Sequence, residues 1–191
     1  MIKSIELCFN HASKVKQLEK VEFKPGYNVL IGQNGFGKST ILRALHSCDL
    51  CEVQHYQSAQ KTETVYYSGS SLEKTLQENR FPKPLADAIR SRELFSSHGE
   101  SNKELMSILE VSRANCFLLD DPEMGLDVEA RIKLARKLRE ICTKRKNTQV
   151  IVASHDPFLW YGKNTNVVEI QEDYFQETLK KYNSLMTRYR S

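Results

Sequence analysis

The stretch "NVLIGQNGFGKST", Asn28–Thr40, decides the fold. Its opening, Asn28–Ile31, is largely apolar and reads as a buried strand. The rest, Gly32–Thr40, matches G-x-x-x-x-G-K-[ST] at every fixed position: Gly32, Gly37, Lys38 and Ser39. A helical pattern follows, opened by Ser39 and Thr40 and continued through Ile41–Leu45. Strand, glycine loop and helix in that order are the context the pattern needs. Glycines let the backbone wrap phosphate oxygens, while the loop amides and the helix N-terminus supply donors and a positive end. Lys38 is expected to reach the β- and γ-phosphates, and the Ser39 hydroxyl to ligate Mg²⁺. Gln33, Asn34, Gly35, Phe36 and Thr40 complete the phosphate-facing loop. This much predicts nucleotide binding and leaves the reaction open.

The chain has 191 residues, enough for one domain with a sizeable core. It is 40% hydrophobic and 27% charged, a globular balance. A formal net charge of +4 permits an anionic partner without demanding one. The start, "MIKSIELCFN", carries Lys3 and Glu6 and has no apolar run long enough for a signal sequence. No stretch approaches a membrane span. The expected location is the cytoplasm, with the five cysteines as thiols rather than a disulfide framework.

Strand and helix patterns alternate along the chain. "IKSIELCF" reads as a first strand, and "KVEFKPGYNVLIG" as a second strand region broken by a Pro25-Gly26 turn. "EVQHYQ" and "TETVYYS" read as short strands, "ANCFLLDD" and "QVIVASHD" as buried ones, and "VVEI" as another short one. From Leu72 to Val111 the pattern turns helical. "DVEARIKLARKLREICTKRK" is an amphipathic helix with Ile132, Ala135, Leu138 and Ile141 or Cys142 as its stripe. "YFQETLKKYNSLMTRYR" closes the chain as a helix with Phe175, Leu179, Tyr182, Met186 and Tyr189 on one face. The fold class is α/β: one domain over 1–191, with a core at about 1–70 and 112–191 and a small inserted helical lobe at about 71–111.

Further motifs follow in a fixed order. "FLLDDPE" ends an apolar strand in two adjacent aspartates. Asp120 matches the Walker B pattern, whose Asp holds the metal opposite Ser39. Asp121 then falls where an ATPase carries the carboxylate that orients the attacking water. "SSHGES", Ser96–Ser101, lies upstream of that strand, "MGLD" follows it, and "VASHDP" ends the next buried strand at His155. Together these motifs resemble the ATP-binding-cassette (ABC) ATPases, in a form closer to the RecF-like and SMC-like branch, active in DNA repair and defence, than to transporters. The likeness covers residues 1 to about 170, and the glycine loop is its most specific part.

The resemblance implies a P-loop NTPase with ATP and Mg²⁺ as cofactors. "SSHGE" is similar to the family's L-S-G-G-Q signature, so Ser97, Gly99 and Glu100 would touch the nucleotide bound by an opposite subunit. Asp127 would be the D-loop aspartate at the dimer seam, and His155 the switch histidine beside the γ-phosphate and the water. Two nucleotides would be held between two head-to-tail copies. The sequence departs from the family pattern at His98, in place of a signature glycine, and at Ser96, in place of the leading leucine. Gln54, Gln57 and Gln60 precede "TETVYYS", whereas the family's metal-contacting glutamine follows that strand. For adenine stacking, position alone suggests Phe9 and His11. The family usually has glutamate at position 121, one methylene longer than Asp121. A shortfall of about 1 Å can cost about 10²-fold in rate, so slow hydrolysis is expected.

Two other clusters have both functional and ordinary readings. His46, Cys48, Cys51 and His55 have passable zinc spacing, against thiols that simply pack at a helix end. Arg131, Lys133, Arg136, Lys137, Arg139, Lys144, Arg145 and Lys146 could form a nucleic-acid face, against a solvated helix whose terminal cations complement its dipole. The lobe is short and lacks sustained heptads, so any effector is expected to be a separate chain. The expected function is an ATP-dependent homodimer that hydrolyses ATP slowly and switches a nucleic-acid-related, repair or phage-defence effector. The alternatives are a transporter's nucleotide-binding subunit or an ATP-gated module with little turnover.

Overall fold

The computed structural model describes residues 1–16, 18–57, 62–79, 81, 83, 86, 87, 89, 90, 105, 106, 108–110 and 112–188. Two sheets form the body. Strands β1 (Ile2–Glu6), β2 (Lys20–Glu22) and β4 (Glu52–His55) make an antiparallel sheet in the order β2-β1-β4. Strands β3 (Tyr27–Ile31), β5 (Thr64–Ser68), β6 (Cys116–Asp120), β7 (Gln149–Ala153) and β8 (Thr165–Glu169) make a parallel sheet in the order β5-β6-β7-β3-β8.

The inner parallel strands β3, β6 and β7 are buried on both faces, as such sheets are, while the edge strand β8 is only partly buried. Along β3, Val29 and Ile31 face one core and Leu30 the other. Likewise Phe117 and Leu119 of β6 are separated from Cys116 and Leu118, and Val150 and Val152 of β7 from Ile151 and Ala153. One core is closed by helices α3 (Leu72–Asn79) and α4 (Val128–Lys144). The other is closed by α2 (Lys38–Ser47) and the antiparallel sheet. The described residues also form helices α1 (Phe9–Ala12), α5 (Pro157–Trp160) and α6 (Tyr174–Arg188).

Several expectations need correction. The first strand ends at Glu6, and Cys8 and Phe9 instead begin α1. The stripe of α4 is Leu134, Ala135, Leu138 and Ile141, with Ile132 only half-buried. On α6, Phe175 packs on the core while Tyr182 is exposed. The side chains of Met186 and Tyr189 lie outside the described residues. Among the described residues no helix is long and apolar enough to cross a membrane.

Leu138 is fully buried between α4 and the sheet. Leu138→Ala is expected to cost about 2–5 kcal/mol, read as a lower denaturant midpoint with an unchanged slope.

Candidate nucleotide site

The site gathers at the carboxyl edge of the parallel sheet, where α/β folds bind ligands. Register puts it there: Ser68 lies opposite Asp120, and Asp120 opposite Ala153, so three strands end level. The glycine loop leaves β3 at the same edge and becomes the N-terminus of α2. Gly37 caps that helix in a left-handed conformation (φ 92°). A Cβ there would come within 2.7 Å of Val15 Cγ2 and 3.0 Å of the Lys14 carbonyl oxygen. Only glycine fits this position without moving the segment laid over the loop.

Lys38 folds back into the loop. Its Nζ donates to the carbonyl oxygens of Gly32 (2.9 Å) and Gln33 (3.1 Å). Burial pulls its pKa below the usual lysine value, while Asp121, Asp120 and Glu123 push it up. Asp120 is buried at 8% exposure, and both its oxygens accept hydrogen bonds. Ser39 Oγ donates to Oδ1 at 2.8 Å and Tyr66 Oη to Oδ2 at 2.8 Å. Tyr66 is fully buried, stacks against His46 and is bonded by the Arg43 side chain.

Asp121 adopts a left-handed backbone (φ 46°), and its amide donates to the Ala153 carbonyl at 2.9 Å. Gly69, just after β5, presses on it. A Cβ on Gly69 would stand 2.0 Å from the Asp121 carbonyl oxygen, and its amide bonds the Asp120 carbonyl. Burial raises the Asp121 pKa, with Asp120 adding to the rise and Lys38 opposing it. His155 follows β7 and is half-buried; burial and the Lys38 charge lower its pKa.

Glu123 is the carboxylate the sequence reading missed. It is 7% exposed, Ser154 Oγ donates to its Oε1, and its Oε2 is buried without a hydrogen-bond partner among the described residues. Burial pushes its pKa up from 4.5 to about 7, helped by the charges of Asp121 and Asp156 and opposed by the Ser154 bond. The pattern D-D-P-E held this signal, since a third carboxylate so close had to end either in solvent or buried at cost.

Other predicted residues sit apart. Asp127 caps α4, accepting from the Ala130 amide at 2.8 Å. Ser97, Gly99 and Glu100 lie outside the described residues, as does Gln60. Gln54 belongs to β4, and the end of β5 carries Ser68 and Ser70, hydroxyl to hydroxyl at 2.9 Å. Phe9 is 87% exposed, whereas His11 turns into a group of cysteines. Of the proposed zinc quartet, His46 instead bonds Thr64 Oγ1 and the Glu78 carbonyl, and is not grouped with the thiols.

The basic face of α4 is partly spent inside the fold. Arg131 bonds the Leu126 carbonyl and Asp156, Arg139 bonds Thr165 and the Leu159 carbonyl, and Arg145 bonds the Leu109 carbonyl. These arginines brace the turns, helical segments and strand start packed beside α4, which engages them within the fold.

A glycine loop, a strand-end aspartate bonded to the loop serine, and a histidine after the next strand define an ABC-type P-loop NTPase fold. A family described as "AAA domain" matches residues 7–187, and the chain belongs to it. Among curated proteins the chain is similar to Protein Pixie of Drosophila melanogaster, 27% identical over 170 residues, which cover 66% of this chain and 28% of that protein. The chain thus spans less than a third of that relative's length. Among solved structures it resembles the SMC head domain from Thermotoga maritima (TM-score 0.54, 13% identity, 83% of this chain and 90% of that one). It also resembles an inward-facing metal-chelate-type ABC transporter (TM-score 0.55, 18% identity, 87% and 80%). Both likenesses establish the shared fold.

Glu123 gives a pH signature. Below pH 4.5 its carboxyl is protonated in both folded and unfolded chains, and its contribution to stability is fully present. As pH rises toward about 7 the unfolded chain loses that proton first, so stability falls, and the contribution is gone above the folded value. Glu123→Gln is expected to remove a decline on the order of 2–3 kcal/mol from urea-unfolding stabilities measured between about pH 5 and about pH 8. An unchanged pH slope in the variant would contradict the buried, raised carboxyl.

Proposed function

We propose that this chain is an Mg-ATP-dependent ATPase that dimerises head-to-tail on ATP, hydrolyses it slowly and acts as a switch for a separate effector chain. The observation that carries the reading is the Ser39–Asp120 hydrogen bond at the mouth of a loop already threaded by Lys38. A hydroxyl and a carboxylate side by side are hard oxygen donors, the set that suits Mg²⁺. Ser39 and Asp120 would hold the ion, which when bound neutralises charge on the phosphates. Lys38 would leave the Gly32 and Gln33 carbonyls for phosphate oxygens, joined by the loop amides from Gln33 to Thr40.

Asp121 and His155 would orient the attacking water from two adjacent strand ends. Asp121, with its pKa raised by burial, is suited to accept a proton as the water attacks. Ser97, Gly99, Glu100 and Asp127 would complete the site of the opposite copy. We read residues 1–191 as one ATPase domain whose lobe at about 71–111 carries that signature. The likeness to the SMC head supports the fold on which this reading rests.

The test is solution mass with and without Mg-ATP beside phosphate release. A dimer should form only with Mg-ATP and persist longest in Asp121→Asn. A monomer under all conditions, for wild type and Asp121→Asn alike, rejects the dimer. Lys38→Ala should lose ATP binding outright. Ser97→Arg should bind ATP yet stay monomeric. Asp121→Glu, by restoring the missing methylene, should raise turnover by up to about 10²-fold. A loss of turnover there would mean a site already adapted to aspartate.

A further inference from the structure

We propose that Cys8, His11, Cys48 and Cys51 bind one zinc ion in a tetrahedral site of three sulfurs and one nitrogen. The site is independent of the nucleotide reading above. The four ligand atoms lie within 4.8 Å of one another. His11 Nδ1 stands 3.2 Å from Cys8 Sγ and 3.3 Å from Cys51 Sγ, and Cys8 Sγ stands 4.0 Å from Cys48 Sγ. With Zn–S near 2.3 Å and Zn–N near 2.0–2.1 Å, tetrahedral edges are about 3.8 Å for S···S and about 3.6 Å for S···N. These three separations are within a few tenths of an ångström of those edges, and the other three lie within 4.8 Å, so side-chain shifts of up to about 1 Å close the tetrahedron.

The spacing supports the same conclusion. Cys8-x-x-His11 and Cys48-x-x-Cys51 are two pairs of the short spacing structural zinc sites use. The first pair lies on α1 and its N-cap, the second at the C-cap of α2 and just before β4. The β1–β4 pairing brings them together across the antiparallel sheet. The Cys8 amide donates to Cys51 Sγ at 3.3 Å, which stabilises negative charge on that sulfur. Three of the chain's five cysteines meet here, while Cys116 lies inside β6 and Cys142 on α4. On binding, the three thiols each release a proton and His11 coordinates as neutral imidazole through Nδ1. Three thiolates and an imidazole in tetrahedral array favour zinc over harder cations.

The site's position gives it consequence. The ion would pin α1, and the chain just beyond α1 supplies Lys14 and Val15, which lie over Gly37. It would also pin the C-terminal end of α2, whose N-terminal end is the phosphate loop. One ion thus fixes both ends of the loop's support.

The test uses the full chain, purified without chelator and without a histidine tag, with metal measured by mass spectrometry. About one zinc per chain is expected. Cys48→Ser and Cys51→Ser should lose it, Cys142→Ser should keep it, and His11→Cys should keep it with four sulfurs. Titrating metal-free wild type with Co²⁺ should give the visible bands of a tetrahedral thiolate site, displaced by Zn²⁺. A wild-type chain that carries no zinc and shows no such bands overturns the proposal. So does an intact mass lighter by two hydrogens, which marks a disulfide, or zinc loss from Cys142→Ser equal to that from Cys51→Ser.

Discussion

The structure depends on holding a carboxylate at the end of a buried strand. Asp120 closes β6, a strand flanked on both sides by paired neighbours. An unpaired carboxylate there would be strongly destabilising. It is held instead by Ser39 from α2 and Tyr66 from β5, one to each oxygen. Those two donors tie helix, middle strand and neighbouring strand into one object. A one-residue slip between β5 and β6 would turn Asp120 toward another face and bring Tyr66 out of reach. The register that builds the sheet is therefore also the register that builds the site.

Around that point the charges are unequal. Lys38 faces three carboxylates, Asp120, Asp121 and Glu123, and it cannot neutralise them all. Burial shifts part of this balance, pushing the Glu123 carboxyl up to about 7. Its Ser154 partner directly follows β7 and immediately precedes His155. Trp160 Nε1 bonds the Ser154 carbonyl and so braces the same corner from α5. Glu123 thus connects the aspartate loop to the histidine loop through one hydroxyl. A change in its protonation would reach both without touching a nucleotide.

What was legible in the sequence was what is local. The glycine loop, the apolar strands and the D-D pair each announce themselves within about ten residues. Tyr66, Gly69 and Glu123 did not, because their roles exist only once β5 lies beside β6 and β6 beside β7. Tyr66 looks like any strand tyrosine until its hydroxyl meets Asp120. The thiol group shows the same limit from the other side. Proximity in sequence paired Cys48 and Cys51 with His46 and His55, whereas pairing of β1 with β4 brings Cys8 and His11 from some 40 residues away. The first strand looked longer than it is because Leu7 and Cys8 are apolar, yet the chain turns there to place Cys8 at a helix cap. The arginines of α4 looked like a surface pattern, and several are structural because neighbouring helical segments offer them carbonyls.

Asp121 shows how backbone and chemistry compete for one position. It stands in the left-handed region, with its amide tied to Ala153, its carbonyl accepting from Met124 and Gly69 pressed against it. That conformation costs a side-chain-bearing residue on the order of 1–3 kcal/mol, and aspartate is among the few residues found there often. Glutamate gains reach but lacks aspartate's short side chain, which can bond its own backbone. The backbone cannot slide forward to make up the missing methylene, because a strand on each side holds it. Aspartate is therefore the residue the turn prefers, whereas under the proposed hydrolysis a longer carboxylate would reach further toward the water. Aspartate at this position satisfies the left-handed turn, the Ala153 bond and the Gly69 contact together.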